Sequence, residues 1–155
     1  MKKMTAYILV LMILIAIIVV VLSGLFTKNI NINQCSSKIN EESEKYKIIA
    51  KYEKITSIAS GSGFSRESGH IYEGDQVWRF NRYSTFTVTP LSNEKFKLKI
   101  LSITKSDDDD VPEGVMRNFR PEQSRITNLI NIEEVSPDIW LISGLGFPLF
   151  ACKEN

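Results

Sequence analysis

An uncharged apolar run close to the N-terminus constrains this chain more than any other feature of its sequence. Residues Ala6 to Phe26 include no charged side chain. In an α-helix, about 20 such residues at about 1.5 Å of rise each cross a hydrocarbon core of about 30 Å. The run therefore predicts a transmembrane anchor at residues 6–26, preceded by a short terminal segment at 1–5.

The basic residues around the anchor predict its orientation. Lys2 and Lys3 precede the run, and no comparable basic cluster follows it immediately. Basic residues favour the cytoplasmic side, so we expect the N-terminus in the cytoplasm and the remainder of the chain on the far side of the membrane. A cleaved signal peptide is the alternative, but its apolar core usually covers only about 7–15 residues. The longer run here favours a single-pass anchor.

The two cysteines of the chain, Cys35 and Cys152, bracket almost everything beyond the anchor. An isolated pair in an exported domain favours a disulfide, and two unpaired thiols are the alternative. A zinc site has little support, since His70 is the only histidine and no C-x-x-C spacing occurs. We therefore predict a disulfide that closes a long loop and stabilises the domain.

Charge and motif content argue against two broad classes of function. With 19 basic and 18 acidic residues, the chain lacks the broad positive field that duplex-binding proteins use, so we expect no direct nucleic acid partner. No G-x-S-x-G nucleophile motif occurs either. We therefore expect neither an enzyme nor a bound cofactor.

Beyond the anchor, the sequence predicts a membrane-proximal linker at residues 27–45 and one small β domain at 46–155. Runs rich in β-branched and aromatic residues recur at intervals of about ten residues between turn signals, which is typical of antiparallel strands. The predicted strands are 46–58, 70–79, 83–89, 95–104, 126–135, 139–143 and 147–152. For 46–58 a helix is the alternative, because Ile48, Tyr52 and Ile55 also suit a helical period. The Ser- and Gly-rich segment 59–69, the acidic segment 106–114 and the segment 115–124 are predicted to be loops.

The clearest of these strands is 95–104. Phe96, Leu98 and Ile100 alternate with lysines, so one face is expected in the core and the other in solvent. Antiparallel strands of this number usually curl into a barrel or sandwich that protects their edges, and a partner can supply a missing strand. We therefore predict a mainly β domain, with α+β as the alternative, that forms a small antiparallel barrel or sandwich alone or with a partner.

Two polar features are candidate sites. The carboxylates of Asp107, Asp108, Asp109 and Asp110 could gather a hard cation such as calcium, but their spacing does not fit an EF-hand loop, and a solvated loop is favoured. His70 could change charge between about pH 5 and 8, which makes it the candidate for a pH-responsive switch. An ordinary surface histidine is the favoured alternative.

Aromatic side chains are numerous enough to line a small apolar cavity, although filling a core is their commoner role. A barrel of about eight strands can hold one small ligand, so a steroid or lipid-like molecule is a reasonable cargo. The candidate wall consists of Tyr72, Trp78, Phe80, Phe86, Phe96 and Trp140.

Several of these features occur together in one family of membrane proteins. They are the N-terminal anchor, the early Cys35, the Ser- and Gly-rich segment before the first hairpin, the aspartates 107–110, the phrase Ile139-Trp140-Leu141-Ile142 and the terminal Leu149-Phe150-Ala151-Cys152. In this combination the chain resembles the FidL-like family of small membrane proteins in enteric bacteria, with its ToxS-type and PsaF/MyfF-type relatives. The resemblance covers nearly the whole chain, although no single motif in it is diagnostic.

The resemblance implies a location, a fold and a partner. It implies an inner-membrane accessory subunit whose periplasmic domain binds and protects that of a ToxR-type membrane-bound transcription activator. It further implies a lipocalin-like barrel, control of virulence or adhesin genes, and a response to bile salts or acidity, for which His70 and the aromatic strand faces are candidates. A stand-alone periplasmic protein that binds a small ligand or assists envelope assembly is the alternative.

Overall fold

The computed structural model describes residues 11–18, 30–92, 94–120 and 127–154. Residues 11–18 form a helix, α1, whose apolar side chains are exposed. Across the described part of the chain, no helix combines the length and the apolar character needed to cross a membrane. The rest of the anchor predicted at 6–26, and the terminal segment predicted at 1–5, lie outside the described residues.

Eight strands dominate the described residues. They are β1 Ile32–Ser43, β2 Ile48–Ala59, β3 Ser62–Glu73, β4 Gln76–Ser92, β5 Lys95–Lys105, β6 Thr127–Ser136, β7 Ile139–Ser143 and β8 Pro148–Glu154. A short helix, α2 (Glu113–Phe119), lies between β5 and β6. Each strand pairs antiparallel with its sequence neighbours, and β1 pairs with β8, so the sheet closes into a barrel. The predicted mainly β fold, an antiparallel lipocalin-like barrel, is confirmed, and the chain's own strands close it.

The barrel has a short seam between its first and last strands. β1 pairs with β2 over most of its length, but it pairs with β8 only at Cys35↔Glu154 and Ser36↔Lys153. The predicted disulfide between Cys35 and Cys152 lies at this seam, with the two Cα atoms 5.3 Å apart. Both cysteines are buried. A covalent link therefore joins the strands where their hydrogen-bonded pairing is shortest.

Period-two alternation explains why these segments become strands of a barrel with a filled interior. Along β2, Ile48, Ala50 and Tyr52 are buried, whereas Lys51 and Glu53 are exposed. Successive side chains of a strand point to opposite faces, so one face lines the interior and the other meets solvent. The same alternation holds in β5, where Phe96 is buried between exposed lysines, as the sequence predicted.

The interior is packed at its two ends. The disulfide-end core surrounds the Cys35–Cys152 bond and consists of Ile30, Ile32, Cys35, Ile58, Phe86, Val88, Phe96, Ile130, Ile132, Trp140, Ile142 and Cys152. The plug-end core consists of Ile48, Ala50, Tyr52, Ile71, Phe80, Val111, Val115 and Met116. Because Val115 and Met116 belong to α2, this helix fills the second end of the barrel and shields its apolar residues from water.

The linker predicted at 27–45 is wrong over most of its described length, because residues 32–43 form β1. The segment is polar, and its strand propensity is weak. Ten residue pairs with β2 hold it in the sheet. Cross-strand hydrogen bonding therefore overrides the local preference of the sequence, and the barrel begins before residue 46.

The loop predicted at 59–69 is also wrong, since most of it belongs to β3. Ser60 and Gly61 have φ angles of 50° and 79° at the β2–β3 turn. Two consecutive positive φ values form the tight turn whose twist matches antiparallel strands, so the hairpin resumes at once. The boundaries of the strands predicted at 70–79 and 83–89 are also wrong. β3 ends at Glu73, and β4 continues without a break from Gln76 to Ser92.

Helix α2 replaces the end of the acidic loop predicted at 106–114 and residues 115–119 of the irregular connection predicted at 115–124. The helix has seven residues, and no side chain caps its N-terminus. So short a helix is marginal in isolation, and tertiary packing of Val115 and Met116 stabilises it in the barrel. Residues 121–124 of the predicted connection lie outside the described residues.

Candidate functional site

A cavity of about 270 Å³ lies inside the barrel between the two cores. Its apolar wall includes Ile58, Phe86 and Ile130 from the disulfide-end core. Its polar wall includes Glu41, whose side chain is 42% exposed. Leu149, also part of the wall, is 48% exposed. These two residues mark the place where the cavity opens to solvent, on the side where β1 and β8 no longer pair.

Strand register arranges the wall in successive rows across β2, β3 and β4. An apolar row runs from Ile58 past Gly63 to Phe86. A Cβ at Gly63 would lie 2.4 Å from the Phe86 ring, so only glycine lets this ring lie against the wall. The next rows are polar. The hydroxyl row is Thr56, Ser65 and Ser84, and the charged row is Lys54, Glu67 and Arg82.

A buried ionic network, defined here as Glu41, Tyr52, Lys54, Glu67 and Arg120, spans the polar part of the cavity. Glu67 accepts a hydrogen bond from Lys54 Nζ at 2.9 Å and another from Arg120 Nη1 at 2.7 Å. Arg120 Nη2 donates to Glu41 at 3.0 Å and also to the Tyr52 hydroxyl. Tyr52 in turn donates to Glu41 at 2.7 Å. The network therefore ties β1, β2 and β3 to the residue that follows α2.

The network shifts the protonation equilibria of its members. Burial alone would raise the pKa of Glu67, but the positive charges of Lys54 and Arg120, with their hydrogen bonds, lower it to about 2. Burial raises the pKa of Tyr52 well above its usual range, although Arg120 opposes this. Burial disfavours charged Arg120, but Glu67 and its other partners outweigh this and raise its pKa. Glu67 and Arg120 are thus charged and Tyr52 is neutral near pH 7.

The hydroxyl row is incompletely satisfied. Ser65 and Ser84 share one hydrogen bond with oxygens 2.9 Å apart. Thr56 is only 4% exposed, and within the described residues its Oγ1 has no hydrogen-bond partner. An unpartnered buried hydroxyl costs stability, and Thr56 lines the cavity. A polar group therefore faces a space large enough to hold a ligand.

The aspartate run has a structural role at the edge of β4. Pairing between β4 and β5 ends at Arg82↔Lys105, which leaves backbone N–H groups of β4 without a strand partner. Asp110 Oδ1 accepts from the Arg79 N–H at 2.6 Å, and Asp109 Oδ2 accepts from the Asn81 N–H at 3.0 Å. Asp109 also pairs with the Arg82 side chain at 3.2 Å. These carboxylates therefore accept hydrogen bonds from backbone N–H groups of β4 that β5 does not reach, and we call this arrangement the edge cap.

The calcium hypothesis for residues 107–110 gains no support from this arrangement. Asp108 accepts from the Asn81 side chain at 2.8 Å, so it too has a protein partner. Asp107 is exposed. Among the described residues, no group of three or more His, Cys, Asp or Glu side chains is placed to hold a metal ion.

His70 lies on the outer face of β3, away from the cavity. Its neighbours across the sheet are Lys51 and Arg79, and its ring centroid is 6.4 Å from that of Tyr72. The imidazole is exposed. Lys51 and Arg79 place two positive charges beside this ring, and the pH-responsive switch at His70 stays a prediction.

The six aromatic residues predicted to form a ligand wall are dispersed. Phe86 lines the cavity, and Phe96 and Trp140 belong to the disulfide-end core. Phe80 belongs to the plug-end core, with Trp78 packed against it. Tyr72 alternates with buried Ile71 and so lies on the outer face. Of these six residues, Phe86 alone lines the cavity, and the polar residues of the cavity wall were not predicted.

The sequence did contain a signal for the missed residues. Lys54 occupies a position in β2 that period-two alternation assigns to the interior, in register with buried Tyr52 and Ile58. Glu67 and Arg82 occupy equivalent positions in β3 and β4. Charged residues on inward faces are rare unless they are paired, and they mark candidate functional positions.

Comparison with known proteins places the chain in a family. The model of a family described as "FidL-like putative membrane protein" matches residues 69–152, more than half of the chain's 155 residues. The matched region runs from within β3 to within β8 and includes the charged-row residue Arg82 and Cys152. No curated protein matches the chain.

Proposed function

Since this chain belongs to the FidL-like family of membrane proteins, we propose that it is an accessory co-sensor subunit of the inner membrane. Residues 6–26 anchor it, with the N-terminus in the cytoplasm and the barrel in the periplasm. The barrel binds and stabilises the periplasmic domain of a ToxR-like transcription activator and thereby influences virulence or adhesin genes. The Cys35–Cys152 disulfide supports the periplasmic location, because such bonds persist in oxidising compartments.

The observation that carries the sensing part of this proposal is the amphipathic cavity. It joins an apolar wall to buried polar groups inside a closed barrel, which is the usual composition of a small-molecule site. A bile salt or lipid-like molecule bound there would favour the barrel conformation that it fits. If the activator prefers the same conformation, ligand binding shifts the population of the complex.

The proposal includes no catalytic activity and no cofactor. Glu67 forms ion pairs with both Lys54 and Arg120, and Arg120 also pairs with Glu41, so these side chains hold the barrel together rather than offering a free acid or base. Binding and stabilisation are sufficient for a co-sensor, since they act through mass action on the partner.

Co-purification tests the partner. The full chain would be co-expressed with the membrane activator encoded beside it, and the complex isolated at neutral and mildly acidic pH. A one-to-one complex is expected. If acidity changes its yield, His70→Ala should abolish that change, and Asp75→Ala, an exposed position on the adjoining turn, serves as the matched control. Absence of a complex at both pH values would refute the co-sensor proposal.

A stand-alone periplasmic ligand-binding or envelope assembly protein is the second candidate. The observation that favours it is closure of the barrel by the chain's own eight strands, which leaves a ligand cavity without help from another protein. Gene neighbourhood distinguishes the two. A neighbouring gene for a winged-helix protein with one membrane span favours the co-sensor, whereas a secretion or pilus operon without such a regulator favours the second candidate.

A further inference from the structure

Building on the proposed ligand-binding role of the cavity, we infer that its ligand is a single-chain amphiphile with one anionic head group, bound at the head by Thr56 and Arg82. The size of the cavity, the order of its rows and the unused donors in its wall each bear on this inference.

The size of the cavity argues against a rigid steroid. A volume of about 270 Å³ falls below the roughly 300–1,000 Å³ of sites that enclose a drug-sized ligand. A steroid, whose fused rings are rigid, needs a site of that larger kind. A flexible chain can follow the cavity and extend through the opening beside Glu41 and Leu149. The volume of the cavity therefore favours a flexible single-chain ligand over a rigid, flat steroid.

The order of the rows sets the orientation of the amphiphile. Ile58 and Phe86 form the apolar row beside the disulfide-end core, and Ile130, Ile132 and Ile142 continue that wall. The hydroxyl row comes next, followed by the charged row. An apolar tail buries surface against the isoleucines, while the head group reaches the polar rows. This gradient matches a molecule that is apolar at one end only.

The sign of the head group follows from the charges. A smaller adjoining cavity of about 70 Å³ shares Lys54, Glu67 and Arg120 with the first and adds Arg82. Three cations and two carboxylates, Glu41 and Glu67, therefore line the combined space. Arg82 is also paired with Asp109 and lies 3.8 Å from Glu113, but neither carboxylate lines the cavity. Cations therefore outnumber carboxylates in the lining itself, so an anion bound there would be attracted, whereas a cation would be repelled.

Two donors in this wall are unused within the described residues. Thr56 Oγ1 and Arg82 Nη2 are buried and make no hydrogen bond. Glu113 Oε1 lies 3.8 Å from Arg82 Nη2, which is beyond hydrogen-bond range. A guanidinium can only donate, so the group that satisfies it must accept. Thr56 lines the larger cavity and Arg82 the adjoining smaller one, and an anionic oxygen is a strong acceptor for either donor.

Calorimetric titration of the full chain in phosphatidylcholine nanodiscs tests the inference, with protein-free nanodiscs subtracted. The probes are octanoate, octan-1-ol, octylammonium and cholate. Octanoate is expected to bind at least about tenfold more tightly than the neutral alcohol, because it adds charge-assisted hydrogen bonds. Octylammonium and cholate are expected to bind more weakly still.

Single substitutions test which residues bind the head group of the amphiphile. Thr56→Val keeps the shape of the side chain and removes the hydroxyl, so it should weaken octanoate about tenfold and leave octan-1-ol unchanged. Thr89→Val, on the exposed outer face of β4, is the matched control and should change neither. Arg82→Lys should also weaken octanoate selectively, because it keeps a charge for Asp109 but removes Nη2.

Each result has a distinct meaning. Equal affinity for octanoate and octan-1-ol would overturn the anionic head group, and equal affinity for cholate would overturn the single chain. Binding of no probe would overturn the inference as a whole. The co-purification experiment decides the partner proposal independently, so its failure and the failure of this inference can be told apart.

Discussion

Removal of the disulfide should be the most damaging single perturbation of this barrel. The bond joins residues 117 positions apart, so it constrains almost the entire unfolded domain. Loop-closure entropy for that separation corresponds to about 5 kcal/mol. Domains of ordinary stability unfold at a cost of about 5–15 kcal/mol, so the bond contributes a large share. Within the described residues, the seam that it supports has two β1–β8 residue pairs and two side-chain hydrogen bonds, from the Asn33 N–H to Glu154 and from Ser37 to the Ala151 carbonyl, to replace it.

Thermal unfolding of the full chain and of Cys35→Ala/Cys152→Ala, both in nanodiscs, measures this contribution. We expect the midpoint of the variant to fall by about 15 °C, given several degrees per kcal/mol for a domain of this size. Reductant should lower the midpoint of the wild type but not that of the variant, which controls for other effects of the reagent. Amide exchange should increase first in β1 and β8, with the β2–β3 hairpin as internal reference.

A destabilisation below about 1 kcal/mol would refute the loop-entropy reasoning. Such a result would mean that the unfolded chain remains compact without the bond, or that β1 and β8 hold the seam by themselves.

Three further predictions address the interior and the capped edge. Thr56→Val should raise the free energy of unfolding by about 1 kcal/mol in the ligand-free barrel, because it removes an unpartnered buried hydroxyl; a lower thermal midpoint would contradict this. The pKa of Glu67 falls from about 4.5 to about 2 on folding, so its charge stabilises the barrel by about 3 kcal/mol above pH 4.5, and this is lost as the pH falls towards 2. Urea unfolding should therefore show Glu67→Gln less stable than wild type at pH 7, with a difference that shrinks in acid; a difference independent of pH would oppose the assignment. Asp109→Ala should cost about 3–5 kcal/mol by leaving Arg82 buried without its partner, whereas exposed Asp107→Ala should stay within about 0.5 kcal/mol; equal effects in thermal unfolding would rule out the edge cap.

Local patterns in the sequence were sufficient for the fold class and for several strands. In β5, Phe96 is buried between exposed lysines because a strand turns alternate side chains to opposite faces, and that period is visible in the sequence. The pairing of Cys35 with Cys152 was likewise accessible, since a chain with two cysteines has one intramolecular option.

Local patterns failed where distant residues determine the conformation. The polar segment 32–43 is a strand because β2 offers it a row of backbone partners, and α2 is a helix because the open end of the barrel receives its apolar residues. Neither preference is strong in the isolated segment, so propensity alone assigned both incorrectly.

The sequence by itself determined the apolar N-terminal run, the period-two strands and the presence of charged residues at inward positions such as Lys54 and Glu67. Only the tertiary structure decided how those charges are used. Arg120 contacts Glu67 across 53 residues and Glu41 across 79 in the closed barrel, with α2 in its end. No local window contains both partners of such a pair, because register and closure of the sheet, rather than proximity along the chain, bring them within hydrogen-bonding distance.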